Sequence, residues 1–248
     1  MCGGCGLSRR KFLTLSAAGA VPIVSGCDRV NLVSDEEVVA MGLQAWQELR
    51  ADAPPSGNRE AARALEDVAN RLLAAAGEAP EAWEVVLFAR PDINAFALPG
   101  NKIGVFEGML KVTRTQDQLA AVVGHEIGHL AEDHGQERMN AAVAKDRGLS
   151  ILYRLLQWGG VEYAAEIAAA LGLGVEFGLV LPYSRRHELE ADRYGILAMQ
   201  QAGYDPRQAV ELWRNMDAAT GRRLPEFLAT HPAPASRIEE IEELLVEI

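Results

Sequence analysis

At 248 residues the chain has room for one domain with a sizeable core. Its 35 acidic against 24 basic side chains give a formal net charge of −11. With no basic stripe to neutralise phosphates, that balance excludes nucleic acid as a partner and argues against broad contact with anionic lipid. The three cysteines all lie within the first 27 residues, so the rest of the chain must fold without an internal disulfide, which a core of this size allows.

The N-terminal stretch reads as an export signal rather than as fold. Ser8-Arg9-Arg10-Lys11-Phe12-Leu13 sets a twin arginine before a short apolar run, the pattern of folded-protein export in bacteria. Leu13 to Ser25, interrupted by Gly19 and Pro22, is too short to span a bilayer permanently. It ends in Val24-Ser25-Gly26-Cys27, which resembles a lipoprotein processing box. The expectation is that 1–26 is removed and that 27–248 is a single domain starting at an acylated Cys27. Such a protein resides in the bacterial periplasm, lipid-anchored to a membrane. Asp28 resembles an inner-membrane retention signal of some enteric bacteria, a rule too variable to decide between inner and outer membrane. Cys2 and Cys5 would leave with the signal, which argues against a zinc or redox role for them.

Ser34-Asp35-Glu36-Glu37 opens a helix by cap and acidic first turn and predicts it to about Arg50. Pro54-Pro55 breaks the chain, and a second helix runs from Arg59 to about Ala76 with Leu65, Val68, Leu72 and Leu73 in one stripe. Trp83 to Ala89, Asn94 to Leu98 and Lys102 to Phe106 have strand composition, the last two joined by a Pro99-Gly100-Asn101 turn. Asn94, Ala95, Phe96 and Ala97 are candidates for an edge strand that binds an extended peptide by strand addition; a plain internal hairpin is the alternative.

Thr115 can cap a helix over 116–133, and this helix holds His125-Glu126-Ile127-Gly128-His129. Residues four apart share a helix face, so His125 and His129 can offer imidazole nitrogens to one metal ion. Glu126 can then reach a water at that metal as its general base. Gly124 and Gly128 are costly in a helix and point to a buried position with a close neighbour, with Gly128 expected to leave room beside the metal. His134, about 180° around the same helix from His125, is expected at the surface.

Residues 135–181 are hard to read. Ile151 to Trp158 suits a helix, while Val161 to Leu181 is apolar but carries Glu162, Glu166 and Glu176, which argue against a membrane span. Gly172 and Gly174 suggest two short helices or a lid there. A helix over 185–202 carries Glu188 and Asp192, again four apart. Glu188 can complete a His₂Glu zinc site, and Asp192 can accept a hydrogen bond from the outer nitrogen of a ligand histidine. Glu190 points about 200° away from Glu188 and is the poorer ligand; ordinary surface acids remain the alternative for the whole set.

The pairing of His125-Glu126-Ile127-Gly128-His129 with Glu188-Leu189-Glu190-Ala191-Asp192 resembles a known metallopeptidase family. It includes the heat-shock membrane protease HtpX, the prenyl-protein (CAAX) endopeptidases and the periplasmic BepA-like proteases. The likeness extends to Asn94-Ala95-Phe96-Ala97-Leu98-Pro99-Gly100 and to Thr230-His231-Pro232 with Arg237. It implies a zinc-dependent endopeptidase with one Zn²⁺ held by His125, His129 and Glu188, with Glu126 catalytic and Asp192 orienting a ligand histidine. Without several strongly apolar spans, the chain fits the BepA-like branch best. In that branch His231 resembles a self-inhibitory fourth ligand; an oxyanion donor or a packed histidine are its other readings, with Arg237 and Tyr194 as support candidates. The resemblance also implies misfolded or stalled envelope proteins as substrates and an outer-membrane assembly factor as partner.

Downstream, Asp205 and Pro206 are expected to start a helix to about Ala219, and Arg237 to Ile248 a final amphipathic one. The helical repeat domain that some relatives carry is not expected. The fold class is thus α+β, zincin-like, mostly helical with a small sheet beside the HExxH helix. The competing function is a zinc-containing chaperone or assembly-binding module with a latched site.

Overall fold

The computed structural model describes residues 32–158, 181–219, 227–228, 231 and 235–248. The chain divides into two units, Met1–Val30 and Asn31–Ile248. The expected export segment and Cys27, the expected lid within 161–181 apart from Leu181 itself, and Thr230 and Pro232 lie outside the described residues.

Helix α1 (Asp35–Asp52) begins with a full capping box: Ser34 Oγ accepts from the Glu37 amide, and the Glu37 carboxylate accepts from that of Ser34. Asn58 caps α2 (Arg59–Ala75), whose stripe of Leu65, Val68, Leu72 and Leu73 is fully buried. Each such side chain contributes about 1.5–3 kcal/mol by leaving water. Strands β1 (Glu84–Phe88), β2 (Ala95–Leu98) and β3 (Lys102–Phe106) form a sheet in the order β1-β3-β2. β2 and β3 are the expected hairpin, its turn made by Gly100 and Asn101 in the left-handed region. β1 runs parallel to β3.

Alternation sorts the sheet's side chains between two cores. Leu87, Ala95, Ile103 and Val105 face the main core with α2 and the helices that follow. Phe88 and Phe106, with Phe96, face a small aromatic cluster that Trp46 of α1 closes. Gly104 leaves the space that the Phe96 ring fills, since a Cβ there would lie 2.1 Å from that ring. β2 therefore sits at the sheet edge. In an antiparallel pair alternate residues turn their backbone groups away from the partner. On β2 these are Ala95 and Ala97: the Ala97 amide donates to Glu126 and that of Ala95 to Asn94 Oδ1.

Helix α3 (Gln116–Ala131) is capped by Thr115 and carries the HExxH residues. It packs most extensively on α5 (Leu181–Gln201). Glycines make this crossing close. A Cβ on Gly124 would stand 3.1 Å from Gly195 Cα, one on Gly195 2.8 Å from the His125 amide nitrogen, and one on Gly128 2.8 Å from Ala191 O. Gly128 thus makes room for the backbone of α5 rather than for a metal.

Two expected boundaries move. Asp133, in the left-handed region, ends the active helix, and His134 begins a separate α4 (His134–Trp158). The helical angle that put His134 on the surface does not apply across that break; the residue is 1% exposed. Helix α6 (Gln208–Ala218) starts after Pro206, because the Asp205 side chain accepts from the Arg207 amide and guanidinium and closes a turn instead. Helix α7 (Ala235–Glu247) follows as expected. Among the described residues no helix is long and apolar enough to cross a membrane. The architecture is that of a zincin: a mostly helical domain with a small sheet beside the helix that bears HExxH.

Candidate metal centre

Because α3 and α5 cross so closely, Glu188 and Asp192 face His125 and His129 across the helix interface, and His231, which precedes α7 in the chain, joins them. Four donor atoms converge: His125 Nε2, His129 Nε2, a Glu188 carboxylate oxygen and His231 Nδ1. His125 to His129 is 3.1 Å, and the two Glu188 oxygens divide the contacts, Oε2 lying 3.3 Å from His125 and Oε1 3.4 Å from His129. His231 lies 3.3 Å from each of the other histidines and 3.1 Å from Glu188. A tetrahedral zinc ion with bonds of about 2.0–2.1 Å requires donor separations of about 3.3 Å. Three imidazole nitrogens and a carboxylate aimed at one point cannot all be satisfied by protons, so the donor set fits a cation.

The charge balance agrees. Burial and Arg237 push His125 down, but hydrogen bonds to Asp192 and Glu188 outweigh them and raise it to about 9. Burial first, then the charge of His125, lowers His129. Burial would raise the Glu188 carboxyl, yet hydrogen bonds from His125 and His231, with the charges of His125 and Arg237, hold it far below the carboxylate range.

Asp192 accepts from His125 Nδ1 at 2.9 Å, the place expected of an orienting carboxylate. Arg237 locks this arrangement: its Nε and Nη2 bond both Asp192 oxygens, its Nη1 lies 2.9 Å from Glu188, and its guanidinium covers the Trp213 ring. Arg237 is therefore a support for the acids of α5. Tyr194 instead lines a cleft of about 270 Å³ beside His129, with Val38, Trp83, Pro99 and Ile127.

Glu126 is buried between the cluster and the sheet edge. Its Oε2 accepts from the Ala97 amide at 3.2 Å, while Oε1 lies 3.5 Å from His231 Nε2 and has no hydrogen-bond partner among the described residues. A buried carboxylate oxygen without a donor is costly and marks where a water or substrate group belongs. Phe227 stacks on the His231 ring, and its carbonyl accepts the His231 amide, which fixes the ring's approach.

Sequence reasoning missed His134 as a partner of His129; Glu190, rightly set aside as a ligand of the main cluster, is the partner of His134. His129 Nδ1 meets His134 Nδ1 at 2.9 Å, and His134 Nε2 meets Glu190 at 3.1 Å. His187 stacks on the His134 ring and bonds Glu137. The signal available was a third histidine five residues beyond His129.

A profile of peptidase family M48 matches residues 59–245. The mitochondrial metalloendopeptidase OMA1 of Schizosaccharomyces pombe is 38% identical over 182 residues, 73% of this chain and 52% of that protein. The beta-barrel assembly-enhancing protease of Yersinia pestis is 29% identical over 240 residues, 91% of this chain and 47% of that protein. That of Escherichia coli K12 is 26% identical over 224 residues, 87% and 45% respectively. The chain spans about half the length of each. Neither the narrower BepA-like placement nor the extension to prenyl-protein endopeptidases is carried by these matches. With an HExxH helix, an acid-bearing partner helix and a profile match over most of its length, the chain belongs to peptidase family M48.

Proposed function

We propose that this chain is a zinc metalloendopeptidase of the bacterial envelope whose site is latched by His231. One observation carries the reading: His125, His129, His231 and the two oxygens of Glu188 converge with donor contacts of 3.1–3.4 Å, beside a buried Glu126 oxygen that lacks a donor among the described residues. Zinc held by His125, His129 and Glu188 supplies Lewis acidity toward a peptide carbonyl and an attacking water. Glu126 takes the proton of that water through Oε1 and returns it to the leaving amine. Asp192 keeps His125 in the tautomer that presents Nε2. An extended peptide pairs with the outward backbone groups of Ala95 and Ala97, while Asn94 directly precedes the strand and Phe96 anchors the strand from the opposite face. In the latched state Glu126 and Asn94 occupy the two edge amides, so a substrate must displace them.

His231 would be the fourth residue to hold the metal and would take the position that an attacking water needs, which would keep the site silent. Swinging His231 away opens it. The BepA-like branch, acylation of Cys27, attachment to a periplasmic membrane face, and misfolded envelope proteins with an outer-membrane assembly factor as clients and partner belong to the same proposal. Support comes from the export-type N-terminus and from relatives named as beta-barrel assembly-enhancing proteases. The same closed tetrahedron favours a second reading, a zinc-containing assembly-binding module without proteolysis.

Cleavage of casein by the mature chain and by its His231→Ala variant, with zinc content measured in each, separates the two. Silence of the parent with activity of the variant establishes the latched peptidase. Silence of both with zinc bound leaves the binding module.

A further inference from the structure

His134, His187 and Glu190 form a second group of metal-donor side chains, their donor atoms within 4.8 Å of one another. Two readings compete: a second metal site, or a hydrogen-bond relay behind the first. Proton bookkeeping decides between them, and it rests on the zinc reading of the main centre.

A histidine that gives Nε2 to a metal keeps its proton on Nδ1. His129 turns Nε2 to the donor tetrahedron and Nδ1 to His134 Nδ1 at 2.9 Å. The His129 Nδ1–H must donate, so His134 Nδ1 must accept and carry no proton. A neutral His134 then bears its proton on Nε2, and that nitrogen faces the Glu190 carboxylate at 3.1 Å. Each donor meets an acceptor, in one direction, ending on an anion. The same assignment removes His134 Nε2 as a metal ligand, since its lone pair is absent. His187, stacked on His134 with centroids 4.1 Å apart and bonded to Glu137 at 3.0 Å, holds the relay ring in plane.

We propose that His134 and Glu190 are positioning residues for the zinc ligand His129, forming a carboxylate–histidine–histidine relay rather than a second metal site. Helix α5 then supports both ligand histidines of α3: Asp192 directly on His125, and Glu190 on His129 through His134. Outer partners of this kind typically change metal affinity by about 10–100-fold when removed.

The test is zinc affinity of the full chain by competition with a chromogenic chelator, for the parent, His134→Leu and His134→Asn. Asparagine sets its amide oxygen near the position of Nδ1 and retains the acceptor. The expected result is one zinc per chain, a loss of about 10–100-fold in His134→Leu, and recovery of most of it in His134→Asn. Nitrogen-15 spectra of the zinc-loaded parent, with five histidines to assign, should place protons on His129 Nδ1 and His134 Nε2. A second tightly bound zinc, a proton on His134 Nδ1, unchanged affinity in His134→Leu, or equal loss in both variants overturns the relay. Absence of zinc binding by the parent instead overturns the reading of the main centre.

Discussion

The two sides of the metal cluster are built on different terms. On the α5 side the polar groups interlock: Asp192 receives His125 and two Arg237 nitrogens, and Arg237 also reaches Glu188. On the β2 side Glu126 has one oxygen on a strand amide and the other without a donor among the described residues, and His231 is held by Phe227. A saturated network fixes the side chains of one wall, whereas the unsatisfied oxygen stands where the proposed chemistry would take place. The contrast teaches that rigidity and reactivity are assigned to opposite walls of one small site.

The largest effect should come from breaking the saturated wall. Arg237→Leu leaves Asp192 and Glu188 buried without their cation, a loss of about 3–5 kcal/mol in folding stability. Urea unfolding of the zinc-free chain reads it directly; a change below 1 kcal/mol would mean that this wall is not the scaffold described.

The opposite wall should respond in rate alone. Glu126→Gln in a His231→Ala background should lower peptide hydrolysis by about 10²–10⁴-fold while zinc content and melting temperature stay at the values of His231→Ala alone. Retained hydrolysis would remove Glu126 from the chemistry.

A smaller effect sharpens where the two walls meet. In Gly195→Ala the new methyl would stand 2.8 Å from the His125 amide nitrogen, against backbone that cannot swing aside. The expected cost is about 1–3 kcal/mol, with weaker zinc binding as α5 is pushed off α3. Parent-like stability and zinc affinity would show that the crossing has slack.

Much of this molecule was legible because its signals are local. The caps at Ser34 and Thr115 act on residues three positions away. The alternation in 84–106 assigns faces within one strand, and the four-residue spacing of His125 and His129 needs only a helix. The errors fall where a local rule was carried past a break. His134 was assigned an angle on a helix that ends before it, and Glu190, set aside in favour of Glu188 as a ligand, meets His134 from another helix, which its angle to Glu188 could not show. Asp205 chose a turn over a cap because Arg207 offered both an amide and a guanidinium.

The sequence by itself determined which residues are able to bind a metal, the helices that carry them, and the family to which they belong. Only the tertiary structure decided that β1 pairs in parallel, that β2 is the edge over Glu126, and that His231 closes the donor tetrahedron from 106 positions beyond His125. It also decided that His134 stands behind His129. The physical reason is range: helix and strand periodicity specify neighbours within a few residues, whereas these contacts depend on how closely two helices approach. Here that distance is set by glycine meeting glycine at Gly124 and Gly195.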